Sequence, residues 1–437
     1  MTVAKTRTRT LLGVPVPVAL FFLGILLPPE VSLTVGGLRF SGYRVVLIIA
    51  FIPMFYMLIS GKRTKINIFD CLVFGHSIWA TLSLIKWGGV QQGIESGGIY
   101  TIECAGAYLL GRLYIRSIED FTAFAKAYVG VVCFLLLFTV PESLTAIHFI
   151  RDTFAAALGG PGAPYIDPRM GIERAFGPFD HPILYGVFSA SAFSMAYFVV
   201  ADRRFMNISG MARVIGVVVA TFLSASGGPY LVLIMQMFVA AWERVLYGIV
   251  GRWRMLLGLF GLTYLAIDVL SNRTPFHVFV TYLTFSTHSA YNRILLWNYG
   301  TAEVARHPIF GVGLGDWVRP VWMSDSMDNF WLLIAMRYGM PAWFMLFGLL
   351  IGLVYVVGRK KKLPQNWQRA RHAWAFTLFG ISVVACTVHL WNALFVLFMF
   401  LIGCGVWMAD TKPETARKSS ALKRMLPAMP RRRVPLF

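Results

Sequence analysis

Stretches of about twenty apolar residues recur twelve times along this chain. They lie near 11–29, 43–60, 68–86, 97–114, 121–140, 183–200, 211–225, 230–249, 253–270, 329–357, 372–388 and 391–409. Each is close to the length a helix needs to cross the hydrocarbon core of a bilayer. The seventh is short and the last two nearly fuse, so eleven crossings also fit. A soluble chain of 437 residues, 57% hydrophobic and only 14% charged, has too little polar surface to cover such a core. The expected fold is an all-α integral membrane protein of about twelve transmembrane helices, one polytopic domain over 1–437.

Orientation follows from the cations, which collect on the cytoplasmic side of membrane proteins. With the N-terminus inside, the cytoplasmic pieces carry Lys5, Arg7 and Arg9, then Lys62, Arg63 and Lys65, then Arg112 and Arg116. Arg203, Arg204, Arg244, Arg252, Arg254, the run from Arg359 to Arg371 and the basic 412–437 tail complete the set. Together these hold 27 of the 40 Lys and Arg residues. Both termini are therefore expected inside. The net charge of +20 needs no nucleic acid, because most of it is this orientation signal plus a tail suited to anionic lipid. The first segment begins like a secretory signal, but LLPPEVSL lacks a small-residue cleavage pattern, so an uncleaved helix is expected. All five cysteines fall inside apolar segments without metal-ligand spacing, so no metal or other cofactor is expected.

Two outward segments are too long for simple turns: 141–182 and 271–328. They form the expected extracytoplasmic cap of loops and short helices. Within the second, 289–306 reads as a helix lying along the membrane, with Tyr291, Leu295, Asn298 and Ala302 on one side. Arg293 and Trp297 share another face at i, i+4 spacing. The GVGLGDW stretch that follows lacks a preceding strand and the right spacing for a dinucleotide fingerprint. Its expected role is a tight connection with close backbone approach.

Eleven cations remain at or towards the outer side: Arg39, Arg44, Lys86, Arg151, Arg169, Arg174, Arg273, Arg293, Arg306, Arg319 and Arg337. Guanidinium presents a planar fork that binds phosphate oxygens bidentately. Any one of them can equally pair with a neighbouring acid such as Asp152, Asp180, Glu303 or Asp316. Arg337 stands apart, nine residues into the tenth apolar segment, where a charge is costly unless it faces a cavity. Glu103 in the fourth segment draws the same attention, as either a site residue or a packed acid.

Four pieces of sequence resemble the O-antigen ligase/polymerase family. RAFGPFDHPILYG is similar to its Arg…Gly-x-Phe…His-Pro element, and TFLSASGGPYLVL to its Ser- and Gly-containing helix break. RILLWNYGTAEVARHPIFGVGLGDW resembles its Arg-x3-Trp…His-Pro-x2-Gly-x-Gly element, and DNFWLLIAMRYGMPAW its Asn-x2-Leu…Gly signature. The resemblance covers roughly residues 170–350. It implies a GT-C-like membrane glycosyltransferase working outside the cytoplasm at the bacterial inner membrane. The implied donor is a glycan on undecaprenyl diphosphate, the lipid diphosphate being the leaving group. A flippase and a chain-length regulator are the implied partners. Ligases of the family carry His before the Asn of the last signature, where this chain has Asp328 before Asn329. That departure points to the Wzy-type exopolysaccharide polymerase branch. Gly227 stands where many members have Arg, so a phosphate contact is expected from elsewhere, such as Arg319.

The expected reaction is inverting displacement at the donor's anomeric carbon. Arg293 leads the expected diphosphate contacts, with Arg174, Arg306, Arg319 and Arg337. Asp328 is the leading general base, with Asp180 and His181 as alternatives. His181 before Pro182 also reads as a helix cap. Asp180, His181, Asn329 and Trp297 are candidate sugar contacts. Trp297, Trp317 and Trp322 fit equally well as interfacial anchors. The rival readings are a ligase passing glycan to lipid A core and a secondary transporter of an anion. Transporters usually show related halves, and no internal repeat is evident here.

Overall fold

The computed structural model describes residues 10–11, 13–35, 38–201, 208–283 and 287–411. Lys5, Arg7, Arg9, Arg203, Arg204 and the 412–437 tail lie outside the described residues. The described chain is nearly all helix. Its only strands are two small hairpins, β1 (Thr10–Leu11) with β2 (Val14–Pro15) and β3 (Leu33–Val35) with β4 (Leu38–Phe40). Among the described residues, seven helical stretches are long and apolar enough to cross a membrane. The molecule is a helical membrane protein. Length and apolarity alone select fewer crossings than the twelve expected.

After α1 (Val16–Ile25) and α2 (Gly42–Ile59) comes α3 (Ile68–Thr101), which leads through a π-helical turn into α4 (Ala107–Tyr114). This 47-residue stretch is not one straight rod. Gly89 takes φ +77°, a conformation that L side chains avoid, and the chain doubles back there. Beyond it, Tyr100 meets His76 at 2.7 Å and Tyr108 meets the Asp70 carboxylate at 2.7 Å. The two limbs match the expected segments 68–86 and 97–114.

The chain continues through α5 (Ile118–Thr145), α6 (Phe149–Leu158), α7 (Pro182–Ser191), α8 (Phe193–Met195), α9 (Ile208–Leu223) and α10 (Gly227–Val245). Then follow α11 (Arg252–Leu270), α12 (Pro275–Leu283), α13 (Thr287–Arg306), α14 (Phe330–Gly358), α15 (Gln365–Val384) and α16 (Ala393–Gly403). α16 is apolar all round and every residue in it is buried, so it forms the centre of the bundle. Phe400 on it packs against Phe21, Phe22 and Phe124. α11 is also apolar along its length, yet none of it is buried. An apolar helix left that bare fits the lipid-facing rim of a membrane bundle.

α14 folds back on itself. Trp331 and Phe347 have ring centroids 5.5 Å apart, whereas a straight helix would separate them by about 24 Å. The corner is Gly339, at φ +83°. The glycine-rich stretch 308–313 wraps this corner and caps the carbonyls that the bend orphans. Val312 N–H donates to the Met336 carbonyl at 2.8 Å and Gly313 N–H to the Arg337 carbonyl at 2.9 Å. Met340 N–H in turn donates to the Pro308 carbonyl at 2.7 Å. The expected close-approach role of GVGLGDW is what these bonds perform.

The corner yields a stability prediction. A methyl group on Gly339 would overlap the Ile309 carbonyl and force an L residue into positive φ. Gly339→Ala should cost at least about 2 kcal/mol, whereas Gly348→Ala, which meets open space, should cost nothing. Thermal unfolding in detergent measures both. Equal midpoints for the two variants would contradict the corner.

Candidate functional site

The sequence reading nearly joined the last two apolar segments. The structure separates them by an irregular stretch, Ala385–Asn392, between α15 and α16. Irregular backbone within a helical bundle must find hydrogen-bond partners. The partners found are largely the residues singled out above. Phe330 N–H donates to the Ala385 carbonyl at 2.8 Å and, more weakly, to the Val388 carbonyl at 3.3 Å. Arg293 Nε donates to the Thr387 carbonyl at 3.3 Å. Asn392 Nδ2 donates to Asp180 Oδ2 at 3.1 Å. The Trp391 ring lies 6.1 Å from that of His181 and 5.8 Å from that of His389.

Arg293 reaches this stretch because α13 presents it on the buried face. Ala290, Leu296, Gly300 and Glu303 are buried and Arg293 is half-buried. On the side named from the sequence, Tyr291, Asn298 and Ala302 are exposed and Leu295 is half-buried. Gly300 decides the outcome, because its bare backbone lets Leu332 and Met327 close against the helix. Trp297 falls on the exposed side and stacks on Phe276 with centroids 4.2 Å apart. Burial lowers the pKa of Arg293, and the charge of Asp328 works in the opposite direction.

Arg174 comes from the loop ahead of α7. It is buried, donates to Ser226 Oγ at 2.7 Å, and points at the helix break between α9 and α10. Burial, reinforced by the charge of Arg169, lowers its pKa to about 10. A cation held among neutral oxygens retains an unmet demand for an anion. The loop owes its shape to Glu142, whose two oxygens accept Phe176 N–H at 2.8 Å and Gly177 N–H at 3.1 Å. Sequence reading missed Glu142, because it ended the fifth segment just before Pro141, through which α5 continues.

His181 caps α7, its Nδ1 accepting the Ile183 N–H at 3.0 Å. That bond places the ring proton on Nε2. Asp180 beside it also receives both Nη groups of Arg39 at 3.4 Å. Arg44 on α2 pairs with the buried Glu103 at 2.6 Å, so the acid suspected in the fourth segment is an ion-pair partner. Arg337 sits at the corner of α14, close enough to His389 to oppose its protonation.

The remaining candidates fall elsewhere. Arg306 pairs with Glu303 at 2.8 Å, and Arg319 pairs with Asp316. Trp317 is buried in a small separate core with Leu296 and Met327, its indole N–H on the Asp325 carbonyl at 3.2 Å. Trp322 is exposed. Asn329 caps α14 by accepting the Leu332 N–H at 3.0 Å. Asp328 is exposed, accepts from Ser326 Oγ at 3.2 Å and lies within electrostatic reach of Arg293.

Arg293, Arg337, Asp180 and His181 thus gather around Ala385–Asn392, with Arg174 acting on His181 from behind. Arg306 and Arg319 form a second, acid-neutralised group. His389, Trp391 and Asn392 join the first group unannounced, and Arg39, counted before only as an outer cation, reaches it through Asp180. The sequence signal of the first three was polar and aromatic side chains at a junction that hydropathy alone reads as nearly continuous.

Burial lowers the pKa of both His181 and His389 to about 4, with Arg174 and Arg337 respectively adding to the effect. Between pH 6.5 and 4 the unfolded chain therefore binds protons that the folded chain refuses. Stability from these histidines is complete above about pH 6.5 and is lost as pH falls towards 4. His181→Asn, which keeps the cap, and His389→Gln should each flatten the acid limb of a thermal-midpoint-against-pH curve by up to about one proton. A limb unchanged in both variants would contradict the assignment.

No protein-family model matches the chain, and no curated protein matches it.

Proposed function

We propose that this chain is a membrane glycosyltransferase that polymerises lipid-diphosphate-linked oligosaccharide repeat units into a surface polysaccharide. It works in the bacterial inner membrane, with both termini cytoplasmic and the Ala385–Asn392 side facing the periplasm. The carrying observation is the gathering of Arg174, Arg293 and Arg337 with Asp180 and His181 around that stretch. A buried Arg174 held by serine oxygens, with the half-buried Arg293 and Arg337 near the same stretch, suits a diphosphate more than any neutral substrate.

In this reading the acceptor hydroxyl attacks the anomeric carbon opposite the diphosphate. The new C–O bond forms as the bond to the phosphate oxygen breaks, and its electron pair leaves with the lipid diphosphate. The hydroxyl proton passes to Asp328, which is exposed and within electrostatic reach of Arg293. His181 offers its Nε2–H to a sugar or phosphate oxygen, and Asp180, held by Arg39 and Asn392, accepts from a sugar hydroxyl. Arg306 and Arg319, already neutralised by Glu303 and Asp316, contribute less.

Deleting the gene and analysing lipid-linked glycans tests the class. Single repeat units should accumulate. Long chains that never reach lipid A would instead indicate a ligase, and an unchanged profile a transporter. In the complemented strain, Arg293→Ala should cut polymer formation by about two to three orders of magnitude, Arg306→Ala by far less. Full-length polymer from a normally folded Arg293→Ala protein would remove the assignment.

A further inference from the structure

A second hollow lies between the outer turn of the α3 hairpin and the glycine-rich stretch that wraps the α14 corner. It is an open groove of about 240 Å³, lined by Leu84, Trp87, Gly88, Gln92, Val312 and Leu314, with Gly315 at its lip. None of these lining residues is charged, in contrast with the arginine centre. Trp87 keeps 46% of its surface exposed, although Gly313 packs against it and His307 meets it edge-on at 5.5 Å. The indole is thus braced from behind while part of it stays open. Gln92 is exposed and folds its amide over Gly88, where a side chain would collide with it.

We propose that this groove binds an uncharged stretch of the oligosaccharide, several sugars away from the diphosphate. An apolar indole surface suits the C–H faces of a pyranose. A primary amide supplies a donor and an acceptor together, matching adjacent ring hydroxyls. Glycines at the rim let the ligand approach backbone amides and carbonyls closely. The groove is also mechanically joined to the arginine centre. Val312 on its wall bonds the Met336 carbonyl, and Gly313 bonds the carbonyl of Arg337 itself. Ser83, one residue from Leu84, donates to the same Arg337 carbonyl at 3.0 Å. One rigid corner therefore sets the spacing between the anion site and the neutral site. The choice of ligand rests on the glycosyl-transfer reading given above.

The test uses the full chain in detergent and, as probe, delipidated repeat-unit oligosaccharide released from the producing strain's own polysaccharide by mild acid. Saturation-transfer NMR reads binding. Trp87→Ala should weaken it roughly tenfold or more, and the exposed Gln92→Ala severalfold, while Arg293→Ala leaves it unchanged. No binding to the wild-type chain, or binding by both groove variants as tight as wild type, overturns the proposal. Polymer formation is scored separately. Oligosaccharide binding that depends on Trp87, in a protein whose Arg293→Ala variant still polymerises, keeps the groove and discards the catalytic reading. The converse result discards only the groove.

Discussion

Eight residues of irregular backbone, 385–392, join α15 to α16 with half of them buried, and their polar groups have to be satisfied there. The solution recruits side chains and backbone from three distant parts of the chain. Asp180 comes from the loop before α7, Arg293 from α13, Phe330 N–H from the start of α14, and Asn392 from the stretch itself. The packing requirement and the gathering of charge are thus one event. Removing the irregular stretch would leave these groups with no common meeting point.

The same arithmetic divides the arginines. Arg306, Arg319, Arg44 and Arg39 each meet a carboxylate, which largely cancels their fields. Arg174 rests on serine oxygens instead, and burial has already weakened its hold on its proton. An arriving anion would restore what desolvation took away. The cost of burying that charge is therefore carried by the free protein and relieved on binding. A chain built only for stability gains nothing from such an arrangement.

Much of the architecture was legible because membrane crossing imposes a crude, readable length on apolar runs. The two limbs of the α3 hairpin were separable because polar Gln91, Gln92 and Glu95 interrupt the apolar pattern. The α14 corner was not, since Gly339 and Pro341 sit inside unbroken apolarity and only backbone geometry reveals the reversal. The site was half legible. Arg293, Arg174 and His181 stood out in motifs, whereas His389, Trp391 and Asn392 hid in a junction whose neighbours Val388 and Leu390 continue the hydrophobic signal. The buried face of α13 was not legible because a glycine, not a large apolar residue, marks where the helix packs closest.

The most direct measurement is the affinity of the purified protein for undecaprenyl diphosphate in nanodiscs, taken across single Arg→Gln variants. The account predicts that Arg174→Gln, Arg293→Gln and Arg337→Gln each weaken binding about tenfold or more, while Arg306→Gln and Arg319→Gln leave it near wild type. Equal affinity across all five variants, or loss confined to the acid-paired arginines, would contradict it.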